Sequence, residues 1–229
     1  MSGRQRPPCS RSGLTLLDGE IEIIGLLSGA SNYTLLGRIG EQMVVYKPRR
    51  GESPLWDFAT GTLFQREAAA YLVCEMLGWD FVPVTVCRDG PLGPGSVQRF
   101  IDHDPSVTAF DLVESHTPEL MRIALFDLVV NNADRKAGHV LLSDGRLFAV
   151  DHGLCFHEES KLRTVLWDFI GMPIPADDLR SIQGLTGESF SGLLSEREIR
   201  ALQSRVETIT DVGVFPPPGP GRPYPWPPV

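Results

Sequence analysis

Apolar residues alternate or run together in short stretches over the first hundred positions, and then recur at helical spacing over the second hundred. "IEIIGLL" and "YTLLGRI" are β-rich runs separated by "SGASN", whose Gly29 and Asn32 suit a turn, so residues 21–39 read as a hairpin. "EQMVVYKP" reads as a third strand, ended by Pro48. In "TLFQREAAAYLVCEML" the residues Leu63, Ala70 and Leu77 share one helical face, and Gly78 ends the run. Two more strands, Phe81 to Cys87 and Ser96 to Ile101, flank a Gly/Pro turn. Beyond "QRFIDHD" the period changes. "PELMRIALFDLVVNN" places Leu120, Ile123, Ala124 and Leu128 at helical spacing, and "HVLL" and "RLFAV" are short strands joined by "SDG". "KLRTVLWDFI", "ADDLRSIQGL" and "EREIRALQSRVETI" all read as helices.

This order predicts an α+β chain of two lobes, a β-rich one with a single helix over 14–101 and a mainly helical one over 102–212. Residues 1–13 are polar and basic and read as a disordered N-terminal tail. Residues 213–229 carry eight of the nineteen prolines and read as a stiff, solvated polyproline extension, or as a ligand for a proline-recognising domain.

Charge narrows the partners. With 21 basic and 29 acidic residues the formal net charge is −8, which disfavours nucleic acid and anionic lipid surfaces. Cys9, Cys74, Cys87 and Cys155 form no CxxC pair, and "MSGRQRPPCSRSG" is not followed by an apolar stretch. A cytoplasmic protein with reduced thiols and no membrane insertion is the expectation.

The candidate chemistry lies in both lobes. Lys47 on a strand precedes Glu67 on a helix, the order in which a kinase-type lobe holds a lysine against nucleotide phosphates, although two solvated charges would fit the same pattern. "NNADRKAGH" and "FAVDHG" add Asp134, His139 and Asp151. That is the order in which phosphoryl-transfer sites set the acceptor-orienting Asp and two metal contacts. His152, Cys155 and His157, with His139, could instead make a zinc site, but their spacing is not a standard one. Cys155 is otherwise a small buried apolar residue, and Trp56, Trp79 and Trp167 read as core anchors.

"NNADRKAGH" resembles the N-x-D-R-x-x-x-N catalytic loop of the phosphatidylinositol 3- and 4-kinase superfamily and its HipA-type relatives, and "VDHGLCF" resembles that superfamily's counterpart of the DFG motif. With "YKPRRGESPLWDFATGTLFQREAAAYLVCEMLGWDFVPVTV", "GSVQRFI" and "VDHGLCFHEESKLRTVLWDF", the likeness to small actinobacterial phosphatidylinositol 3-/4-kinase-like proteins covers about residues 20–210. It implies a two-lobed protein-kinase-like fold, ATP, and Mg²⁺ or Mn²⁺.

Carried over by position, the resemblance gives Lys47 the α- and β-phosphates and Glu67 the orientation of Lys47. Gly29, Ser31 and Asn32 would form the turn over the phosphates, and Gln98, Arg99 and Phe100 would border the adenine pocket. Asp134 would accept or orient the acceptor hydroxyl, Asn132 would brace the loop or the acceptor, and Arg135 would support the loop or a phosphate oxygen. Asp151 would hold the metal. The superfamily usually has Asn where this chain has His139, so His139 either ligates a metal with a bias to Mn²⁺, hydrogen-bonds Asp134 or Asp151, or marks a site that binds nucleotide but turns over slowly. Lys161 and Arg163, just past Asp151, either meet an acidic acceptor or cap a helix.

The expected activity is transfer of the γ-phosphate to a hydroxyl of a protein Ser/Thr or a small cytosolic molecule rather than a membrane lipid. The alternatives are AMP transfer and a nucleotide-binding pseudokinase or scaffold.

Overall fold

The computed structural model describes residues 16–27 and 32–229; the expected N-terminal tail and the turn residues Gly29 and Ser31 lie outside them. Strands β1 (Glu22–Leu26), β2 (Leu35–Ile39), β3 (Gln42–Pro48), β4 (Thr85–Gly90) and β5 (Gly93–Arg99) form one antiparallel sheet in the order β1-β2-β3-β5-β4. Alternation decides what each face carries. In β3, Val44 and Tyr46 point into a core with Leu35, Ile39 and Val97, which leaves Lys47 on the opposite face.

Helix α1 (Leu63–Met76) packs on that other face, and its burial explains its weak amphipathicity. Ala69, Ala70, Val73 and Cys74 belong to the core cluster that also holds Phe81, Phe126, Val130 and Phe156. By sequence α1 lies in the first lobe; by packing it is shared with the second. Arg66 fastens it there. This side chain pairs with Glu198, donates from Nη1 to Cys155 O at 2.7 Å and stacks over Phe58 at 4.9 Å.

The second lobe contains the short α2 (Ala109–Leu112), α3 (Thr117–Val130), α4 (Ala176–Gln183) and α5 (Glu196–Val212), with the hairpin β6 (Val140–Ser143) and β7 (Arg146–Ala149). The hairpin turn Asp144–Gly145 has φ of 49° and 72°, the left-handed pair that a two-residue turn favours. Helix α5 starts at a capping box between Ser195 and Glu198 and stops at Gly213, φ 67°. Among the described residues no helix is long and apolar enough to cross a membrane.

Three sequence expectations shift. The fourth and fifth strands begin later and earlier than expected, because Phe81 and Val82 leave the sheet for the inter-lobe core and Phe81 O accepts from Ala149 N–H. "KLRTVLWDFI" is extended, not helical: Arg163 and Val165 donate their N–H groups to Asn132 O and Arg135 O, so tertiary pairing overrides the local period. The proline-rich tail is exposed along most of its length but docks at particular points. Phe215 is buried against Phe169, Pro225 is buried, and Pro223 O accepts from Thr164 N–H and Trp167 Nε1–H.

Candidate functional site

The cleft between the lobes is built around one lysine. Lys47 pairs with Glu67 of α1 and, at 2.9 Å, with Asp151, which follows β7. Burial alone would lower Lys47, but Asp151 and then Glu67 outweigh it and hold the amine above its ordinary value. Glu67 is nearly inaccessible, and its second oxygen accepts from His152 N–H at 3.0 Å. Thus Glu67 ties the lysine strand to the segment carrying Asp151. Asp151 itself has φ 62°, in the left-handed region that a non-glycine residue occupies only when its surroundings compel it. Desolvation would raise its carboxyl, but Lys47 and His139 hold it far below the usual carboxylate range.

The loop 131–139 starts where α3 ends, with Asn131 in the left-handed conformation at φ 54°. Under it lies a fully buried ion pair: Asp127 of α3 receives Arg135 Nε at 3.0 Å and Nη2 at 2.9 Å, and also Asn132 Nδ2 at 2.9 Å. Arg135 Nη1 reaches Val150 O at 2.8 Å and Nη2 reaches His152 Nε2 at 2.7 Å, so this one guanidinium joins the loop to both sides of Asp151. Asn132 Oδ1 in turn accepts from Asp134 N–H at 2.9 Å. The result is a rigid pedestal presenting Asp134. Burial pushes the Asp134 carboxyl up to about 6 against the pull of Lys136, whose amine lies 3.9 Å away.

His139 closes the other side. Its Nε2 is 3.3 Å from Asp151 Oδ2, and burial pushes the imidazole down to about 4, so the ring is neutral near neutral pH. Lys136 N–H donates to Nδ1 at 3.4 Å, which leaves the ring proton on Nε2, facing Asp151.

The structure therefore brings Lys47, Glu67, Asp134, His139 and Asp151 to one cleft, with Asn132 and Arg135 beneath. Asn132 and Arg135 both bond to Asp127, and Arg135 is wholly buried there. Gln98 is buried, with its amide on Thr85 Oγ1 at 2.7 Å; Arg99 lies over the Phe148 ring at 5.7 Å, and Phe100 N–H donates to Met43 O. Their backbone is taken up by the sheet, since β5 lies between β3 and β4 and Arg99 N–H donates to Val84 O, whereas the Arg99 and Phe100 side chains are half-buried. Asn32 Oδ1 accepts from Ser53 N–H at 2.8 Å, bracing the loop that follows β3.

Trp56 is 89% exposed and not a core anchor; Lys161 lies over its ring at 4.8 Å and pairs with Asp57 at 3.3 Å. The zinc alternative does not assemble. His152 is held by Arg135, His157 by Asp57 O and Glu159 N–H, Cys155 is buried, and no cluster of three metal-ligating side chains occurs among the described residues.

Sequence reading missed Asp127 and Arg66, and gave His152 only to the zinc alternative. Asp127 sits inside an otherwise apolar helical stretch, and a charged residue on a buried face is the signal that could have found it, whereas Arg66 stands between Gln65 and Glu67 and carries no such signal.

The family model of phosphatidylinositol 3- and 4-kinase matches residues 84–205, more than half of the chain. The chain belongs to that family. Protein Rv2133c of Mycobacterium tuberculosis is 40% identical over 93% of each chain. Phosphatidylinositol 4-kinase gamma 4 of Oryza sativa subsp. japonica is 30% identical over 61% of this chain, which spans only 30% of that enzyme. The Golgi casein kinase superposes with a TM-score of 0.56 at 14% identity, covering 87% of this chain and 72% of its own; its structure with Mn/ADP bound gives 0.55. At that identity the likeness is one of fold, and it is the two-lobed protein-kinase-like fold read from the motifs.

Proposed function

We propose that the chain is an ATP- and divalent-metal-dependent phosphotransferase that moves the γ-phosphate to a hydroxyl. The observation carrying this reading is the convergence of three separate elements on Lys47: the strand that bears it, Glu67 of α1, and Asp151 after β7. Nucleotide phosphates would exchange places with Asp151 at the lysine while Glu67 keeps Lys47 aimed.

A divalent cation fits the donors present, since such ions in phosphotransferases take one or two protein ligands and fill the rest with phosphate and water. Asp151, held as a carboxylate, would bind it first; His139 Nε2 would join after the ring proton moved to Nδ1, giving up the Lys136 contact. When bound, the cation would neutralise charge developing on the phosphates. Asp134 would orient the acceptor hydroxyl and take its proton. The net charge of −8 supports a protein Ser/Thr or a small soluble acceptor over a lipid at an anionic surface.

The test is incubation of the full chain with γ-labelled ATP and Mg²⁺ or Mn²⁺, scoring label on protein and released phosphate. Label or release above a heat-inactivated control supports the reading. Its absence in both metals, with ATP still raising the melting temperature, would replace it with a nucleotide-binding pseudokinase. The Nε2–H of His139 facing Asp151 is the observation that favours this second reading.

Two further outcomes are expected. Because a carboxyl with a raised pKa is a base only above that value, kcat should rise about tenfold per pH unit below about 6 and level off above it. A pH–rate profile checks this, and the limb should vanish in Asp134→Asn. His139→Asn, which swaps imidazole for an amide oxygen, should raise the ratio of Mg²⁺- to Mn²⁺-supported rates roughly tenfold. Initial rates in each metal decide it.

A further inference from the structure

We infer that the proline-rich segment 222–229 is a working part of the site, a strap that positions the catalytic loop; this rests on the phosphotransferase reading for its kinetic consequence only. The segment touches both polypeptide stretches that frame Asp134. At one end Pro223 O accepts from Thr164 N–H at 3.1 Å and from Trp167 Nε1–H at 3.2 Å. At the other end Pro228 O accepts from Ala137 N–H at 2.8 Å. Ala137 is fully buried and lies between Asp134 and His139 in the chain.

The pairing around Thr164 shows why the strap matters. Arg163 and Val165 turn their N–H groups to Asn132 O and Arg135 O, so Thr164 N–H points to the other edge, where the tail supplies the acceptor. The strap thus lies against the segment 163–165, which in turn pairs with the catalytic loop, and it is the outer of the three. Proline suits the outer one. It offers a carbonyl without an N–H that would need its own partner, and its stiff backbone loses little entropy on docking. Between the two anchor points Pro225 is buried, whereas Trp226 is 75% exposed and Tyr224 49% exposed, so Pro225 is the residue that seats the strap.

Removing the strap would leave the Ala137 and Thr164 donors and the Trp167 indole without acceptors. Buried unpaired donors are costly, so the loop would rearrange to satisfy them, moving Asp134 and His139. Lys47, Glu67 and Asp151 make no hydrogen bond to the strap, so nucleotide binding should survive.

The test uses the full-length chain with Pro225→Asp, which places a charge where the strap is buried, and Pro217→Asp, at an exposed tail position outside it, as control. Hydrogen exchange is followed at the Ala137 and Thr164 amides in nucleotide-free protein. Transfer kinetics and the ATP-induced melting shift are measured alongside. In Pro225→Asp, exchange at both amides should rise roughly tenfold or more. Its kcat should fall roughly tenfold or more while KM for ATP stays within about twofold. A free peptide of residues 222–229, added at millimolar concentration, should reverse both effects. Pro217→Asp should change neither.

Unchanged exchange in Pro225→Asp would overturn the strap. So would raised exchange with kcat unchanged or increased, since the tail would then be a cover and not a positioning element. If the unsubstituted chain shows no turnover, the phosphotransferase reading fails. The strap is then judged on exchange and its reversal by the peptide.

Discussion

Asp134→Asn is expected to lower kcat by about 10²–10⁴ while leaving ATP- and metal-dependent stabilisation intact. The amide keeps the shape of the carboxyl and can still lie against the hydroxyl, but it cannot take the proton. Nothing in the nucleotide cradle depends on it: Lys47 is held by Glu67 and Asp151, and Asp134 is tied to the loop through its own backbone N–H on Asn132. Asp151→Asn should behave differently. It removes the charge that would hold the cation and one of the two carboxylates on Lys47, so both turnover and the metal-dependent part of the ATP melting shift should disappear. Measuring kcat and the melting shift for both variants separates the two roles. Equal loss of stabilisation in both would show that Asp134 is a binding residue and not the base.

Asp127→Ala should be the most damaging single change to the fold. Asp127 and Arg135 are each fully buried, and removing one partner leaves an uncompensated charge that costs about 3–5 kcal/mol. Arg135 would keep Val150 O, His139 O and His152 Nε2, and lose every anionic acceptor it has in the structure. Asn132 would lose its anchor at the same stroke. For a chain of this size the melting temperature should drop by about 6–20 °C, measured by calorimetry. A conservative Arg135→Lys should also destabilise, because one ammonium cannot span Asp127, Val150 O and His152 together. A drop below about 2 °C for Asp127→Ala would mean that the loop is held by something other than this pair.

These two predictions differ in how early they could have been made. Asp134 and Asp151 stand out in the sequence because each sits in a short motif legible from neighbouring residues alone. Asp127 does not stand out, because its meaning depends on Arg135, which reaches it only after the chain turns at Asn131. Lys47 and Glu67 fall between these cases. Their order suggested a pair, and only the packing of α1 against the second lobe separates that pair from two solvated charges.

The sequence by itself determined the two-lobed order of strands and helices and the reach of most elements, and it singled out the residues proposed for the chemistry, since periodicity, turn residues and motif spacing are properties of neighbours along the chain. Tertiary structure alone decided three things. It drew residues 161–170 out of a helical period, because the N–H groups of Arg163 and Val165 found carbonyls on the catalytic loop. It buried Gln98 and Arg135, because each met a partner on the neighbouring element, Thr85 on β4 and Asp127 on α3. It also turned a proline-rich tail, whose composition predicts solvation, into the acceptor for Ala137, Thr164 and Trp167. In each case the deciding energy is a hydrogen bond or ion pair between elements that meet only on folding, which no local pattern encodes.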